Sequence, residues 1–241
     1  MQQQAVKYSG GGPVSWLPVP DAHPDAHPMS NRAILLLVIV ALAAGLGLLA
    51  AQRFFTAPPV ARMPDVRSVT LLPVPRALPA FSLQQSDGTP LSGEELKGHW
   101  TLVFLGFTHC PDICPTTLAQ LSSVQKQWQS IPKAQRPHVL FVSADPERDS
   151  PELTGRYAHA FNPDTLAATA SIPQLEQFAR SLSMVFMKAP GPSGRADDYS
   201  IDHSAGFAVL DPQARMAGVI QPPFDVATIA GDLAALTKAP Q

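Results

Sequence analysis

A run of residues without a charge, from Ala33 to Ala51, divides this 241-residue chain into parts of different character. As an α-helix rising about 1.5 Å per residue, the run nearly reaches across the roughly 30 Å hydrocarbon core of a bilayer. A cleaved signal peptide would lie nearer the N terminus, with a shorter apolar region and a small-residue cleavage site. We therefore expect residues 33–51 to form a transmembrane helix that is retained as an anchor.

The segments on both sides of this run lack the spacing of apolar residues that marks helices and strands. Residues 1–32 are polar, contain several glycines and prolines, and carry the repeat DAHPDAHP, so we expect a disordered N-terminal tail. Residues 52–77 contain several prolines and predict an extended, semi-rigid linker. The rest of the chain, residues 78–238, is long enough for one sizeable domain.

The charge balance argues against nucleic acid as a partner. The chain has 17 lysines and arginines and 19 aspartates and glutamates, which gives a formal net charge of −2. A nucleic-acid binder is expected to carry a basic surface, of which this composition gives no sign. Charge also bears on membrane orientation, because two cations precede the apolar run and three follow it, which favours a cytoplasmic C-terminal domain by the positive-inside rule. These cations are Lys7, Arg32, Arg53, Arg62 and Arg67.

Alternating apolar segments predict an α/β domain. The runs TLVFLGF at Thr101 to Phe107 and HVLFVSA at His138 to Ala144 are short and continuous, as in strands covered on both faces. Pro115 fits the first turn of a helix between them, which predicts a βαβ unit. Pro151 and Pro173 fit the starts of two further helices.

The last part of the domain predicts a hairpin and a helix. Residues 189–198, APGPSGRADD, are rich in turn formers and predict a flexible insertion. Residues 206–220 contain two strand-like runs around an Asp-Pro turn, and residues 226–236 carry apolar side chains at helical spacing. This order suits a thioredoxin-like sheet with helices on both faces. The predicted fold class is therefore α/β and thioredoxin-like, with one N-terminal transmembrane helix.

The chain has two cysteines, Cys110 and Cys114, and their closeness makes them one site rather than a disulfide framework. Cys110 falls in the loop after a predicted strand, and Cys114 at the start of the next helix. Unpaired N–H groups at a helix start stabilise an anion, so we expect the pKa of Cys114 to lie below the free value of about 8.5. Cys114 is then the better nucleophile and ligand. Pro111 and Pro115 restrict the loop and lower the ordering cost of bringing both sulfurs together.

Two thiolates suit a soft metal such as Cu(I), and they suit reversible disulfide formation equally well. His203 favours the metal, because it precedes a predicted strand that can bring its imidazole beside the Cys110 loop. Two sulfurs and one nitrogen make a copper site. A lone histidine before a strand would otherwise be a hydrogen-bonded structural residue. We therefore predict Cys110, Cys114 and His203 as metal ligands, and the two cysteines as the catalytic pair if the site is redox-active.

Other polar residues near the motifs are assigned no ligand role. His109 adjoins Cys110 and is expected to point away from it. Asp112 and Asp202 fit turns, helix caps or support of the ligands. Ordinary surface or edge positions are expected for His99, His138 and His159.

Three segments resemble the Sco/SenC family of cytochrome c oxidase assembly proteins. They are FLGFTHCPDICPTTL at residues 104–118, FVSADPERDSPE at residues 141–152 and DYSIDHSAGFAVLDP at residues 198–212. The likeness extends from about Leu78 to Leu236. Its most specific part is CPxxCP followed later by DHS, since the cysteines of ordinary thioredoxins are separated by two residues rather than three.

The resemblance implies a thioredoxin-like domain anchored in the inner membrane and facing the periplasm, opposite to the orientation that the charge count favours. It implies copper, as Cu(I), Cu(II) or both, held by Cys110, Cys114 and His203. It further implies a metallochaperone that delivers copper to the binuclear copper centre of cytochrome c oxidase subunit II, or a reductase for that subunit's cysteines. Other copper carriers and a thioredoxin-like reductant are the further partners implied.

The residues alone leave two alternatives to a metallochaperone open. A thiol-disulfide reductase would use the same cysteine pair without needing His203. A membrane-tethered sensor would bind copper without transferring it. A peroxide-reducing enzyme is disfavoured, because we find no place in the sequence for the arginine and threonine that surround its cysteine.

Overall fold

Helix α1, Asn31–Phe55, contains the apolar run and extends beyond it at both ends. The computed structural model describes residues 30–55, 65–195 and 197–239, without the side chains of residues 52–55. Within this part of the chain, α1 is the one helix long and apolar enough to cross a membrane, judged by length and composition. Residues 1–29 of the predicted tail and residues 56–64 of the predicted linker lie outside the described residues. The chain divides into one unit that ends at Val60 and a second that begins at Ala61.

A mixed eight-stranded sheet forms the centre of the second unit. The described strands are β1 (Thr70–Arg76), β2 (Leu83–Gln85), β3 (Pro90–Leu91), β4 (Thr101–Gly106), β5 (His138–Ser143), β6 (Leu166–Thr169), β7 (Phe186–Pro190), β8 (Tyr199–His203), β9 (Phe207–Leu210) and β10 (Met216–Ile220). The sheet has the order β1-β10-β9-β4-β5-β6-β2-β3. Strands β4, β5 and β6 are parallel, and β9 pairs antiparallel with β4. This sheet agrees with the predicted α/β class.

Strand β4 lies at the centre of the sheet, and all of its residues are buried. It pairs in parallel with β5 along its whole length, so the predicted βαβ unit is confirmed. Phe104 of β4 is in register with Phe141 of β5 and Phe207 of β9, and its ring lies 5.8 Å from each of theirs. The three rings form an aromatic floor on one face of the sheet, and the candidate site lies at its edge.

The described helices of this unit begin close to the predicted positions, apart from α2, which was not predicted. They are α2 (Gly93–Leu96), α3 (Ile113–Gln127), α4 (Pro151–His159), α5 (Ile172–Ser181) and α6 (Val226–Lys238). Helix α3 starts at Ile113 rather than at Pro115, because Asp112 takes the N-cap position. Helices α3 and α6 pack against each other, and the indole N–H of Trp128 donates to the carbonyl of Ala230 at 3.0 Å. This packing buries the apolar residues at helical spacing, which are Leu118, Leu121, Val124 and Trp128.

The boundary between linker and domain was predicted too late in the chain. Strand β1 lies inside residues 52–77 and pairs antiparallel with β10 at the edge of the sheet. Pro73 and Pro75 hide this strand in the sequence because proline cannot donate to a ladder. An edge strand tolerates them, and the pairing with β10 is irregular between Leu71 and Arg76. The folded domain therefore includes residues assigned to the linker.

Two further differences concern strands. Strand β6, between α4 and α5, was not predicted, because LAAT has only one of the β-branched and aromatic residues that usually mark a strand. The predicted insertion at residues 189–198 begins inside β7, and β7 pairs with β8 in a separate two-stranded sheet. This hairpin ends at His203, which lies in β8 rather than in a loop before a strand.

Candidate metal centre

The cysteine loop connects the end of β4 to the start of α3. Cys110 lies in the loop and is half-buried, whereas Cys114 lies in the first turn of α3 and is fully buried. Both cysteines are free thiols. The backbone N–H of Cys114 donates to the sulfur of Cys110 at 3.3 Å, so the helix start and the two prolines bring the sulfurs to one place, as predicted.

Gly106 allows Cys114 to pack against the end of β4. A Cβ atom at this position would lie 3.0 Å from the sulfur of Cys114 and 2.9 Å from a ring carbon of Phe141. Both distances are shorter than ordinary contacts between such atoms, so a larger residue would displace the sulfur or the ring. The strand therefore ends in a glycine where the sulfur needs the space.

His203 joins the two cysteines. Its Nε2 atom lies 3.6 Å from the sulfur of Cys114. Its ring stands edge-on to Phe104 and Phe107, with centroids 6.0 and 6.2 Å away. The structure thus brings together the three residues predicted as ligands, although Cys110 and His203 are separated by 93 positions in the sequence. That they bind a metal remains a prediction.

The hydrogen bonding of His203 prepares Nε2 as a ligand. Its Nδ1 lies 3.0 Å from the carbonyl oxygen of Ser204, which can only accept, so Nδ1 carries the proton. Burial lowers the pKa of His203, and the hydrogen bond to Ser204 opposes this only in part. The ring is therefore neutral near pH 7, with the lone pair of Nε2 directed to the Cys114 side. The carbonyl of Ser204, rather than Asp202, makes the orienting hydrogen bond.

The acidity predicted for Cys114 is wrong. Burial raises its pKa to about 12, and the neighbouring Cys110 adds to the shift, while a backbone hydrogen bond from Phe107 opposes it. Loss of hydration thus outweighs the field at the helix start for this sulfur. At this helix start, the backbone N–H of Cys114 donates to the sulfur of Cys110 and not to the sulfur of Cys114. Without a metal, Cys114 is a thiol, and Cys110 is the more accessible sulfur.

The site opens to solvent through a groove of about 440 Å³. Cys110, Ile113 and His203 line it, together with Asp112 and Asp202. Ile113 is 57% exposed, so its apolar side chain lies at the surface beside Cys110. A second protein can therefore approach the half-buried sulfur directly.

The other histidines among the described residues lie apart from the predicted ligand set, as predicted. His109 turns to the opposite side of the loop, where its Nδ1 lies 3.1 Å from Thr108 Oγ1 and 3.4 Å from a carboxylate oxygen of Asp149. His99 and His138 stack on each other near the starts of β4 and β5, with ring centroids 3.9 Å apart. His159 lies 3.1 Å from the carbonyl oxygen of Thr165.

The sequence analysis did not identify a group of supporting residues around the site. Asp145, Arg148 and Asp149 follow β5, and they bond to Tyr199 and Thr108, which flank the ligands in the sequence. The segment DPERD was noted only for its resemblance to a family. This segment places several charged residues in a turn directly after a buried strand. Such turns lie at the edge of the sheet where α/β proteins place their sites, so this pattern could have indicated a supporting role.

The donor set fits a soft metal ion. Two cysteine sulfurs and one neutral imidazole nitrogen prefer Cu(I) or Cu(II) over hard cations such as Mg²⁺, which bind oxygen. A second group of possible metal ligands lies nearby, formed by the ring nitrogen of His109 and carboxylate oxygens of Asp145 and Asp149, which lie within 4.8 Å of one another. Its carboxylates already accept hydrogen bonds from Thr108 and Arg148, so an ion there would have to compete with these bonds.

Known proteins resemble this chain over most of the second unit. A relative from Stutzerimonas stutzeri is 35% identical over 197 residues, which covers 82% of this chain and 91% of that protein. The mitochondrial SCO2 homologue of Bos taurus is 37% identical over 132 residues, which covers 55% of this chain and 49% of that relative, so this chain spans about half of it. The crystal structure of Arabidopsis thaliana ScoI with copper bound is 30% identical, with a TM-score of 0.59, and covers 66% of this chain and 96% of that one.

The family assignment rests on the same region as the site. The family model described as SCO1/SenC matches residues 72–238, which include β4, the cysteine loop and the hairpin that carries His203. The match begins within β1, in agreement with the earlier start of the domain found in the structure. By this match and the identity to its relatives, the chain belongs to the SCO1/SenC family.

Proposed function

We propose that this protein binds copper through Cys110, Cys114 and His203 and delivers it to the binuclear copper centre of cytochrome c oxidase subunit II. The observation that carries the proposal is the convergence of two sulfurs and one unprotonated imidazole nitrogen at the mouth of an open groove. Relatives in the same family have been solved with copper bound. The accessible sulfur and the exposed Ile113 beside it suit transfer between proteins, since a recipient can reach the ion from the groove.

We place the domain in the periplasm, held to the inner membrane by α1. The single long apolar helix supports an anchor, and transfer to an oxidase subunit requires the domain to face that subunit's copper centre. The cations that flank α1 favour the opposite orientation. Reporter proteins fused to the C terminus, one active only in the periplasm and one only in the cytoplasm, decide between the two. Activity of the cytoplasmic reporter alone would contradict the placement.

Replacing His203 with alanine tests the ligand set. Loss of a residue that merely orients a metal ligand typically lowers metal affinity about tenfold to a hundredfold. We expect loss of the ligand itself to lower the affinity for Cu(I) by at least that much, and Cu(II) to lose its nitrogen ligand. Competition against a chelator measures the affinity of the full-length protein in detergent, and X-ray absorption measures the ligands. His159→Ala is the matched control, because it removes an exposed imidazole that lies outside the predicted ligand set and contacts the carbonyl oxygen of Thr165.

The same pair of variants separates the two functions. A thiol-disulfide reductase is the second candidate, favoured by the two free thiols that lie side by side with one of them accessible. A reductase keeps its activity on an oxidised subunit II peptide when His203 is replaced, whereas copper delivery to that peptide falls. Unchanged copper affinity and stoichiometry in His203→Ala would overturn the chaperone proposal. The further partners that we propose are other copper carriers, which would supply the copper, and a thioredoxin-like reductant, which would keep the two cysteines reduced.

Copper affinity should rise with pH. Cys114 has a raised pKa of about 12, so it stays protonated across the physiological range and must release its proton when its sulfur binds the ion. His203 has a lowered pKa and releases no proton near pH 7. We therefore expect the apparent affinity for Cu(I) to increase at least about tenfold per pH unit between about pH 6.5 and 8.5. Competition titrations at several pH values check this slope, and an affinity that does not change with pH would contradict it.

A further inference from the structure

The candidate copper site is assembled from two parts that the main sheet does not connect. The sulfurs follow β4, which lies at the centre of the eight-stranded sheet. His203 ends β8, which pairs with β7 in a sheet of its own. Residues 204–206 connect His203 to β9 of the main sheet, but no ladder of the described strands joins the hairpin itself to that sheet, so side-chain contacts also help to set the distance between the sulfurs and the imidazole.

Asp149 holds the cysteine side. Its carboxylate is fully buried and accepts from the backbone N–H of Thr108 at 2.8 Å, from the Thr108 hydroxyl at 2.5 Å and from the Ser143 hydroxyl at 2.5 Å. Thr108 lies two residues before Cys110, and Ser143 ends β5. The carboxylate thus ties the start of the cysteine loop to the neighbouring strand through three charge-assisted hydrogen bonds, the strong class of such bonds.

Asp145 and Arg148 hold the histidine side. The buried carboxylate of Asp145 accepts from the Tyr199 hydroxyl at 2.9 Å and from Arg148 Nε at 2.5 Å. Arg148 also donates to the Tyr199 carbonyl at 3.1 Å and stacks on its ring at 3.7 Å. Tyr199 begins β8, four residues before His203. A further contact joins the same turn to β7, where Lys188 pairs with Glu147 at 2.7 Å.

The two sets of contacts originate from one short turn. Residues 145–149 are held by their own backbone, since the N–H groups of Arg148 and Asp149 both donate to the carbonyl of Asp145. The residue before the turn, Ala144, donates to the carbonyl of Gly106 at 2.8 Å, which fixes the turn against the end of β4. Arg148 also lies over the ring of Phe107 at 5.9 Å, and that ring contacts His203. The turn therefore touches both sides of the site.

We propose that the turn at residues 145–149 is the template that sets the spacing of the copper site, with Asp149 positioning the cysteine loop and Asp145 with Arg148 positioning the histidine strand. These are positioning residues that act through Thr108 and Tyr199 and do not contact the ion. The inference rests on the proposed copper site and adds that different residues of the turn position the sulfur ligands and the imidazole ligand. Loss of one carboxylate should disturb one kind of ligand and spare the other.

Two single substitutions in the full-length protein test this division. Asp149→Asn should lower the sulfur contribution to the X-ray absorption of the copper-loaded protein and leave the imidazole contribution intact. Asp145→Asn should lower the imidazole contribution and leave two sulfurs. Each should weaken Cu(I) affinity about tenfold to a hundredfold, as expected for partners that orient metal ligands. Without metal, Asp149→Asn should also speed the reaction of Cys110 with iodoacetamide several-fold, whereas Asp145→Asn should not.

A third carboxylate provides the control. Asp232 of α6 is buried and also accepts three hydrogen bonds, from the N–H groups of Arg67 and Ser68 and from the Ser68 hydroxyl, but it joins α6 to the residues before β1. Asp232→Asn makes the same change of charge and should alter stability without changing either ligand contribution. If an asparagine variant does not fold, as judged by circular dichroism, Thr108→Val and Tyr199→Phe remove one hydroxyl from each side and should give the same pattern with smaller changes.

The outcomes distinguish this inference from the proposed function. Equal loss of both ligand contributions in both variants, or no loss in either, would overturn the template, while copper bound by two sulfurs and a nitrogen in the parent protein would leave the proposed function intact. A parent protein without that coordination would overturn the proposed function and the template together.

Discussion

Replacing Cys114 with serine is expected to abolish one-to-one copper binding in competition with a chelator. The sulfur of Cys114 lies 3.6 Å from Nε2 of His203. Because Cys114 is fully buried, water cannot reach this position to replace the sulfur as a ligand. A serine hydroxyl is a hard donor and is not deprotonated at neutral pH, so it cannot replace a thiolate on a soft ion. The remaining sulfur and imidazole do not complete the site. Quantifying copper per protein after dialysis against the chelator measures the loss.

The composition of the chain makes this variant easy to interpret. Cys110 and Cys114 are its two cysteines, so Cys114→Ser leaves one thiol, whose alkylation reports that Cys110 is still present and reactive. Cys110→Ser should abolish binding as well, because both sulfurs belong to one site. The fold should persist in both variants, since serine is similar in size to cysteine. Retention of one tightly bound copper ion in either variant would contradict the proposed ligand set.

Replacing Phe104 with alanine is expected to lower the free energy of unfolding by about 3–5 kcal/mol, the usual cost of truncating a buried phenylalanine. Phe104 is fully buried and contacts the rings of Phe141 and Phe207 on the aromatic floor. Its ring also meets His203 edge-on at 6.0 Å, so copper affinity should fall with stability. Urea unfolding followed by tryptophan fluorescence, to which the buried Trp100 and Trp128 contribute, measures the change.

An exposed position on the same sheet provides the comparison. Val74 of β1 is 77% exposed, and Val74→Ala should change the free energy of unfolding by less than about 0.5 kcal/mol. A loss of similar size in both variants would show that urea reports something other than the core. A Phe104→Ala variant as stable as the parent would mean that the aromatic floor is not what supports the site.

Elements with strong local signals were predictable from the sequence. The strands β4 and β5 are apolar throughout because both of their faces are covered, and this pattern is visible without a structure. Helices α4 and α5 begin at or next to prolines, where the missing N–H costs nothing. The grouping of Cys110 and Cys114 also followed from their spacing.

Elements that depend on distant partners were not predictable in this way. Strand β6, LAAT, has little strand preference of its own and is a strand because β5 and β2 pair with it on either side. Strand β1 carries two prolines and is a strand because β10 is beside it. In both cases tertiary pairing outweighs local preference, which a pattern of residues along the chain does not report.

The acidity of Cys114 illustrates the same limit at the level of one atom. The helix start that should stabilise its thiolate is present, yet the chain packs Gly106 and Phe141 against the sulfur and removes water from it. Whether the helix terminus or burial dominates the pKa of a cysteine depends on whether its sulfur faces the interior. The spacing of the two cysteines in the sequence does not show which sulfur does. The supporting turn at residues 145–149 was missed for a related reason, since its partners Thr108 and Tyr199 are far from it in sequence.

If copper binds as proposed, the separate pairing of β7 and β8 should make the imidazole the first ligand to leave the ion. Withdrawal of the imidazole breaks side-chain contacts of the hairpin, whereas withdrawal of a sulfur pulls on the junction between a fully buried strand and a packed helix. Regions with fewer such ties open at lower free energy. Exchange with a recipient would then start on the nitrogen side, where an incoming donor fills the vacated place while both sulfurs keep the ion from escaping into solution.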